Sequence, residues 1–131
     1  MPQYPYGPVN VNLGAVVSLS GASASGSSAV LNNAQGRGVT VFLDVASLSG
    51  TSPSFVPTIE GYDSVTGQSY TLLTGPSVTA AGTHVMQVYP GLASSAGAAA
   101  DAVLPQQWQL AYTIGGTTPA VTVTATAVVQ V

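Results

Sequence analysis

The chain has 131 residues, enough for one domain with a single core and too few for a two-domain enzyme. Ala, Gly, Ser and Thr number 18, 15, 15 and 14, and hydrophobic residues make up 46%, but charged residues only 4% against about 25% in an ordinary soluble domain. That hydrophobicity excludes disorder, the absence of cysteine excludes a disulfide scaffold, and Arg37 as the sole Lys or Arg excludes counterion-driven binding to nucleic acid or an anionic membrane.

Residues 1–14, MPQYPYGPVNVNLG, hold three of the nine prolines and two of the six tyrosines, and predict an extended N-terminal arm ahead of a single domain over 15–131. Tyr4 and Tyr6 are candidate contacts to a partner, because aromatic side chains bring large apolar area at small entropic cost. The arm lacks the basic and apolar regions of a signal peptide, so synthesis in the cytoplasm is expected.

From Ala15 onward, short Val- and Thr-rich segments of period two alternate with Gly, Ser and Pro, which is the pattern of strands and turns. Val16–Leu19 and Ala29–Leu31 read as strands around the loop GASASGSS. Val39, Val41, Leu43 and Val45 share one face, with Thr40, Phe42, Asp44 and Ala46 on the other. Gly50-Thr51-Ser52-Pro53 carries turn chemistry, so residues 39 to 62 predict an antiparallel hairpin. Pro57 has no N–H to give to a ladder, which points to an edge or a bulge at that position.

Asp63 to Gln68 predicts a tight turn with Gly67 left-handed, leading into a strand from Tyr70. His84 to Tyr89 predicts a strand with His84, Met86 and Val88 on one face and Val85, Gln87 and Tyr89 on the other. Residues 92–104 are alanine-rich but broken by Gly97 and serines, and predict a loop with at most one helical turn. Trp108, Leu110, Tyr112 and Ile114 form the bulky face of the next strand. Gly115 to Pro119 reads as its turn, and Val121 to Val131 as an uncharged, proline-free strand that must be central or covered. The whole predicts an all-β, antiparallel β-sandwich with Ig-like or jelly-roll connections.

Chemistry-bearing residues are few. His84 stands alone, without a nucleophile elbow or a metal-binding helix motif, and reads as an ordinary strand residue. Glu60 and Asp63 flank a turn, too few for a calcium shell of six to eight oxygens, and Asp63 is the residue a turn uses to cap backbone N–H groups. No catalytic residue, metal or cofactor is expected. Arg37 is a candidate partner contact, or a partner for Asp44 or another acid. Trp108 with Tyr70, Tyr89 and Tyr112 offers an aromatic platform for sugar, although its register with Leu110 and Ile114 favours the core. A surface with so few charges suits a chain whose exterior is covered by assembly, since interfaces are depleted of Lys, Glu and Asp.

The stretches VTVFLDVASLSGTSPSFVPTIEGYDSVTGQSYTLLT, GTHVMQVYPGL and VLPQQWQLAYTIGGTTPAVTVTATA resemble small all-β virion structural proteins of tailed bacteriophages, over residues 39 to 127. The resemblance rests on Leu43-Asp44-Val45 before Ser49 to Pro53, the Tyr89-Pro90-Gly91 break, and Trp108 before Gly115 to Pro119. Gln106, Gln107 and Gln109 depart from it, standing where basic residues are expected. It implies a non-enzymatic virion component, made in the host cytoplasm. The expected role is a capsid decoration or cement protein on the outer head surface, a homo-oligomer such as a trimer bound to the major capsid protein. A tail tube or minor tail component and a carbohydrate-binding β-sandwich module are the alternatives.

Overall fold

A computed structural model describes residues 10–131. Strand β1 (Val11–Ala22) is followed by the two-residue β2 (Gly26–Ser27) and β3 (Leu31–Asn32), then by β4 (Gly38–Asp63), β5 (Gln68–Thr74), β6 (Gly82–Val88), the short β7 (Ala99–Ala100) and β8 (Gln107–Gln130). The described residues contain no helix. The alanine-rich 92–104 segment is loop except for β7, as its glycine and serines predict. All strands join one hydrogen-bonded sheet, antiparallel but for the parallel pair β6 and β7, so the sheet is mixed where a purely antiparallel one was expected.

The long partners β4 and β8 run antiparallel from Gly38 opposite Gln130 to Gly61 opposite Trp108. At one end of this ribbon β1 flanks β8 and β6 flanks β4; at the other, β2 and β3 flank β8 and β5 flanks β4. The uncharged C-terminal run is therefore central. Strand β1 begins at Val11, so residues 11–14, expected in the arm, are paired with Val129 to Ala127.

The hairpin expected over residues 39 to 62 does not form, and neither does the turn expected at 115–119. Both segments lie inside continuous strands, facing each other. Gly50 (φ 112°) and Ser52 (φ 49°) bend β4, Gly116 (φ 108°) and Thr118 (φ 47°) bend β8, and Thr51 pairs with Thr117 between them. A Cβ on Gly50 would lie 2.6 Å from the Thr118 carbonyl oxygen, and one on Gly116 would lie 2.7 Å from the Ser52 carbonyl oxygen. The same Gly-Thr-(Ser/Thr)-Pro pattern thus occurs on both strands about a local twofold. Each copy's left-handed residues bend its own strand, while the partner's backbone closes over the missing side chain. Turn residues reverse a lone chain, but two such stretches laid opposite each other bend together and stay paired.

Register shifts at this bend also change which β8 positions face the core, from the even-numbered Trp108 and Leu110 to the odd-numbered Val121 through Val129. They meet Val39, Val41, Leu43, Val45, Phe55 and Ile59 of β4 in one continuous core, with Met86 and Val88 of β6. A side chain on Gly75 would strike both the Met86 sulfur and the Pro57 ring at 2.8 Å, so β6, from one end of the ribbon, packs on the other end. Pro57 sits inside a central strand. On its outer side Phe55 exchanges two backbone bonds with Val78, and the Pro57 carbonyl accepts from Gly75 N at 2.7 Å. Its missing N–H falls on this side, between the Val78 bridge and the end of the β5 ladder at Thr74, so no rung is lost.

Substituting Gly50 or Gly116 with Ala should each lower stability by about 3 kcal/mol, from positive φ together with the close backbone approach. Gly91→Ala is the control, with positive φ but open space around the new Cβ, and should cost visibly less. Urea denaturation midpoints check the difference.

Candidate functional site

Acidic side chains are dispersed: Asp44 and Glu60 lie within β4, Asp63 at its end and Asp101 in the loop after β7. The Asp63 carboxylate accepts from Val65 N at 3.0 Å and Thr66 Oγ1 at 2.9 Å, while Gly67 N closes the turn on the Asp63 carbonyl at 2.8 Å. The Val65 and Thr66 bonds hold its pKa below the ordinary 3.8. Glu60 accepts from Gln109 Nε2 at 2.8 Å across the ribbon, and Asp101 from Gly91 N at 2.7 Å. No group of three His, Cys, Asp or Glu able to hold a metal occurs among the described residues.

Arg37 is exposed, and its backbone ties two segments: its N–H donates to the Gln130 carbonyl at 2.7 Å, and its own carbonyl accepts from Leu104 N at 2.8 Å. Asp44 lies about 23 Å further along the extended chain at ~3.3 Å per residue, out of reach of the guanidinium. Tyr4 and Tyr6 lie outside the described residues. Beside Arg37, buried Asn33 organises the loop: Gly36 N donates to its Oδ1 at 2.7 Å, and its Nδ2 donates to the carbonyls of Gly36 at 2.8 Å and Leu104 at 3.1 Å.

The aromatic residues do not converge on a platform. Trp108 is fully buried between Leu31 and Gly61, and its indole N–H has no partner among the described residues. Tyr112 stacks on Phe55 with ring centroids 5.8 Å apart, Tyr70 covers the bare backbone of Gly61, and Tyr89 donates to the Val131 carbonyl at 2.7 Å. His84 is half-buried opposite Leu43. The clefts are small or open. One of about 120 Å³ lies between Val11, Leu13, Val129 and the Asn33 loop; another, about 270 Å³, is a shallow trough beside Tyr112. Both fall short of the ~300 Å³ at which ligand pockets begin, and neither is lined by a histidine, a carboxylate or a cation.

What remains is a surface. On the outer face of β6, β4, β8 and β1, the register places side chains in three rows. The first contains Gln87, Thr40, Val128 and Asn12; the second Val85, Phe42, Thr126 and Ala15; the third Thr83, Asp44, Thr124 and Ser18. Phe42 and Val85, directly paired, are 45% and 47% exposed. Thr40 Oγ1 donates to Gln130 Oε1 at 2.9 Å and accepts from Gln87 Nε2 at 3.4 Å, which braces the first row. The face carries no cation, and Asp44 is its sole charge. The sequence reading placed Phe42 and Val85 opposite the core faces of their strands but drew no site from them. An aromatic residue in the outward phase of an amphipathic strand was the available signal.

In comparison with known proteins, no family model, curated protein or solved structure matches the chain.

Two outcomes follow from this geometry. Trp108 emission should be blue-shifted, resist iodide quenching and stay unchanged on adding mono- and oligosaccharides; a sugar-dependent shift would contradict its burial. Because Asp63 has a lowered folded pKa, its stabilisation is present above the unfolded value near 3.8 and is lost as pH falls through the folded pKa. The stability gap between wild type and Asp63→Ala should be constant near neutrality and close in acid, as read by denaturation at a series of pH values.

Proposed function

We propose that this chain is a non-enzymatic structural protein of a tailed-bacteriophage virion, a capsid decoration or cement protein that forms a homo-oligomer on the outer head surface. Its fold is then a β-sandwich of the Ig-like or jelly-roll kind, antiparallel but for the short β6–β7 pair, with an N-terminal arm reaching a neighbour and the two ends of the bent ribbon as its layers. The packing of β6 against Pro57 and Gly75 supports two layers over one core.

The outer face around Phe42 and Val85, whose sole charge is Asp44, supports the homo-oligomeric part of this reading, and contact with the capsid draws on the rest of a surface as poor in charge. A chain with one Arg, one His and four acids has few ion pairs to offer a capsid, and exposed pairs contribute only about 0 to 1 kcal/mol each. Apolar contact remains: about 400 Å² removed from water supplies on the order of 10 kcal/mol gross at ~25 cal/mol per Å², before the ordering cost of association. Repeated over a shell, such contacts clamp the major capsid protein without chemistry. The resemblance over residues 39 to 127 points the same way.

Electron microscopy of purified particles should place the protein on the head surface; density confined to the tail would make it a tail component instead. Binding to stripped heads should change less than about tenfold between ~0.05 and ~1 M NaCl, because salt that shortens the Debye length from about 14 to about 3 Å leaves apolar burial intact. A hundredfold loss would show that charge holds it in place.

A further inference from the structure

We infer that the β6-β4-β8-β1 outer face is a twofold contact between copies of this chain, with the axis passing through the Val85-Phe42-Thr126-Ala15 row. This rests on the homo-oligomer in the proposed function and names the surface that makes it.

The argument is self-complementarity. Rotation about an axis through the middle row lays the first row of one copy over the third row of the other. The first row holds the amide of Gln87 and the hydroxyl of Thr40; the third holds Asp44, an acceptor with no hydrogen-bond partner among the described residues, beside the hydroxyls of Thr83 and Thr124. Each copy thus brings the Gln87 amide, whose Nε2 keeps one N–H beyond its bond to Thr40, toward the other's carboxylate at both ends of the contact. With the axis along the middle row, Phe42 and Val85 of one copy face their own counterparts on the other, an apolar centre between the two polar rows. A charged partner has little to recognise here, since the face offers no cation and one anion. A second copy needs nothing more.

Area is consistent with that occupant. Four strands about 4.8 Å apart and seven residues at about 3.3 Å each give a footprint of roughly 440 Å². Two copies together then remove roughly 900 Å² before side-chain relief is added, near the ~1,000 Å² at which specific interfaces begin. Association in the micromolar range is expected, strengthened where neighbours are already held on a shell.

Sedimentation of wild type, Phe42→Asp, Thr124→Arg and Val65→Asp tests the face, with circular dichroism and thermal melting to show that each variant folds. Wild type and Val65→Asp, altered at a fully exposed turn, should dimerise alike, whereas Phe42→Asp and Thr124→Arg should each weaken dimerisation at least tenfold. The chain has no cysteine, so single-cysteine variants give a second readout that does not depend on destabilising the face. Sheets packed face to face lie about 10 Å apart, and a bis-maleimide of similar span should link Thr126→Cys but not Val65→Cys. Wild type that stays monomeric throughout would overturn both this face and the homo-oligomer. Wild type that assembles, as dimer or trimer, with Phe42→Asp unaffected and Thr126→Cys unlinked would overturn this face alone, leaving it to the arm or to another virion protein.

Discussion

The fold depends on one close approach, where β4 and β8 cross at Thr51 and Thr117 with Gly50 and Gly116 each packed under the other strand's backbone. A paired ribbon of this length would otherwise be a flat two-stranded hazard. Bending it at matched positions lets both ends contribute to one core while preserving the ladder on either side of the bend, and where β8 lacks a strand partner the Ser28 and Ser25 hydroxyls accept from Leu110 N and Ile114 N. Phe42 and the threonines of β4 and β8 keep their places on the outer face because those two strands are central in the sheet.

Low charge has a second consequence at the edges. Strand β1 is long, uncharged and on the rim of the sheet, where lysines would ordinarily discourage a stray partner. Here three register shifts break its pairing with β8, so its free edge is irregular and a poor template for another strand. Beside β6 the sheet ends in the two-residue β7, too short to extend. Edge protection by geometry leaves the flat outer face, not the rim, as the surface open to association.

The few charged and amide groups serve mostly as fasteners. Asp63 caps its own turn, Asp101 holds Gly91, Glu60 spans to Gln109, and Asn33 binds its loop to Leu104. No two of the carboxylates converge among the described residues. Asp44 is different: it stands outward on a central strand between Thr83 and Thr124, without a hydrogen-bond partner among the described residues.

The alternation of apolar and polar residues by itself determined the strand class, the faces shared by Val39 to Val45, by Met86 and Val88 and by the alternate residues from Val121, the burial of Trp108 and the turn at Asp63, because period-two alternation and local turn chemistry are both short-range. The sequence also carried the bend, in the phase change between Leu110 and Val121, but in a form that a reversal would share. Whether Gly-Thr-Ser-Pro and Gly-Thr-Thr-Pro turn their chains back or bend them side by side depends on contact between residues 66 positions apart. Only the tertiary structure decided that, together with the parallel docking of β7 and the joining of Phe42, Val85 and Thr126 into one face. Pairing across such separations is set by the shared core of the whole chain, which no local window contains.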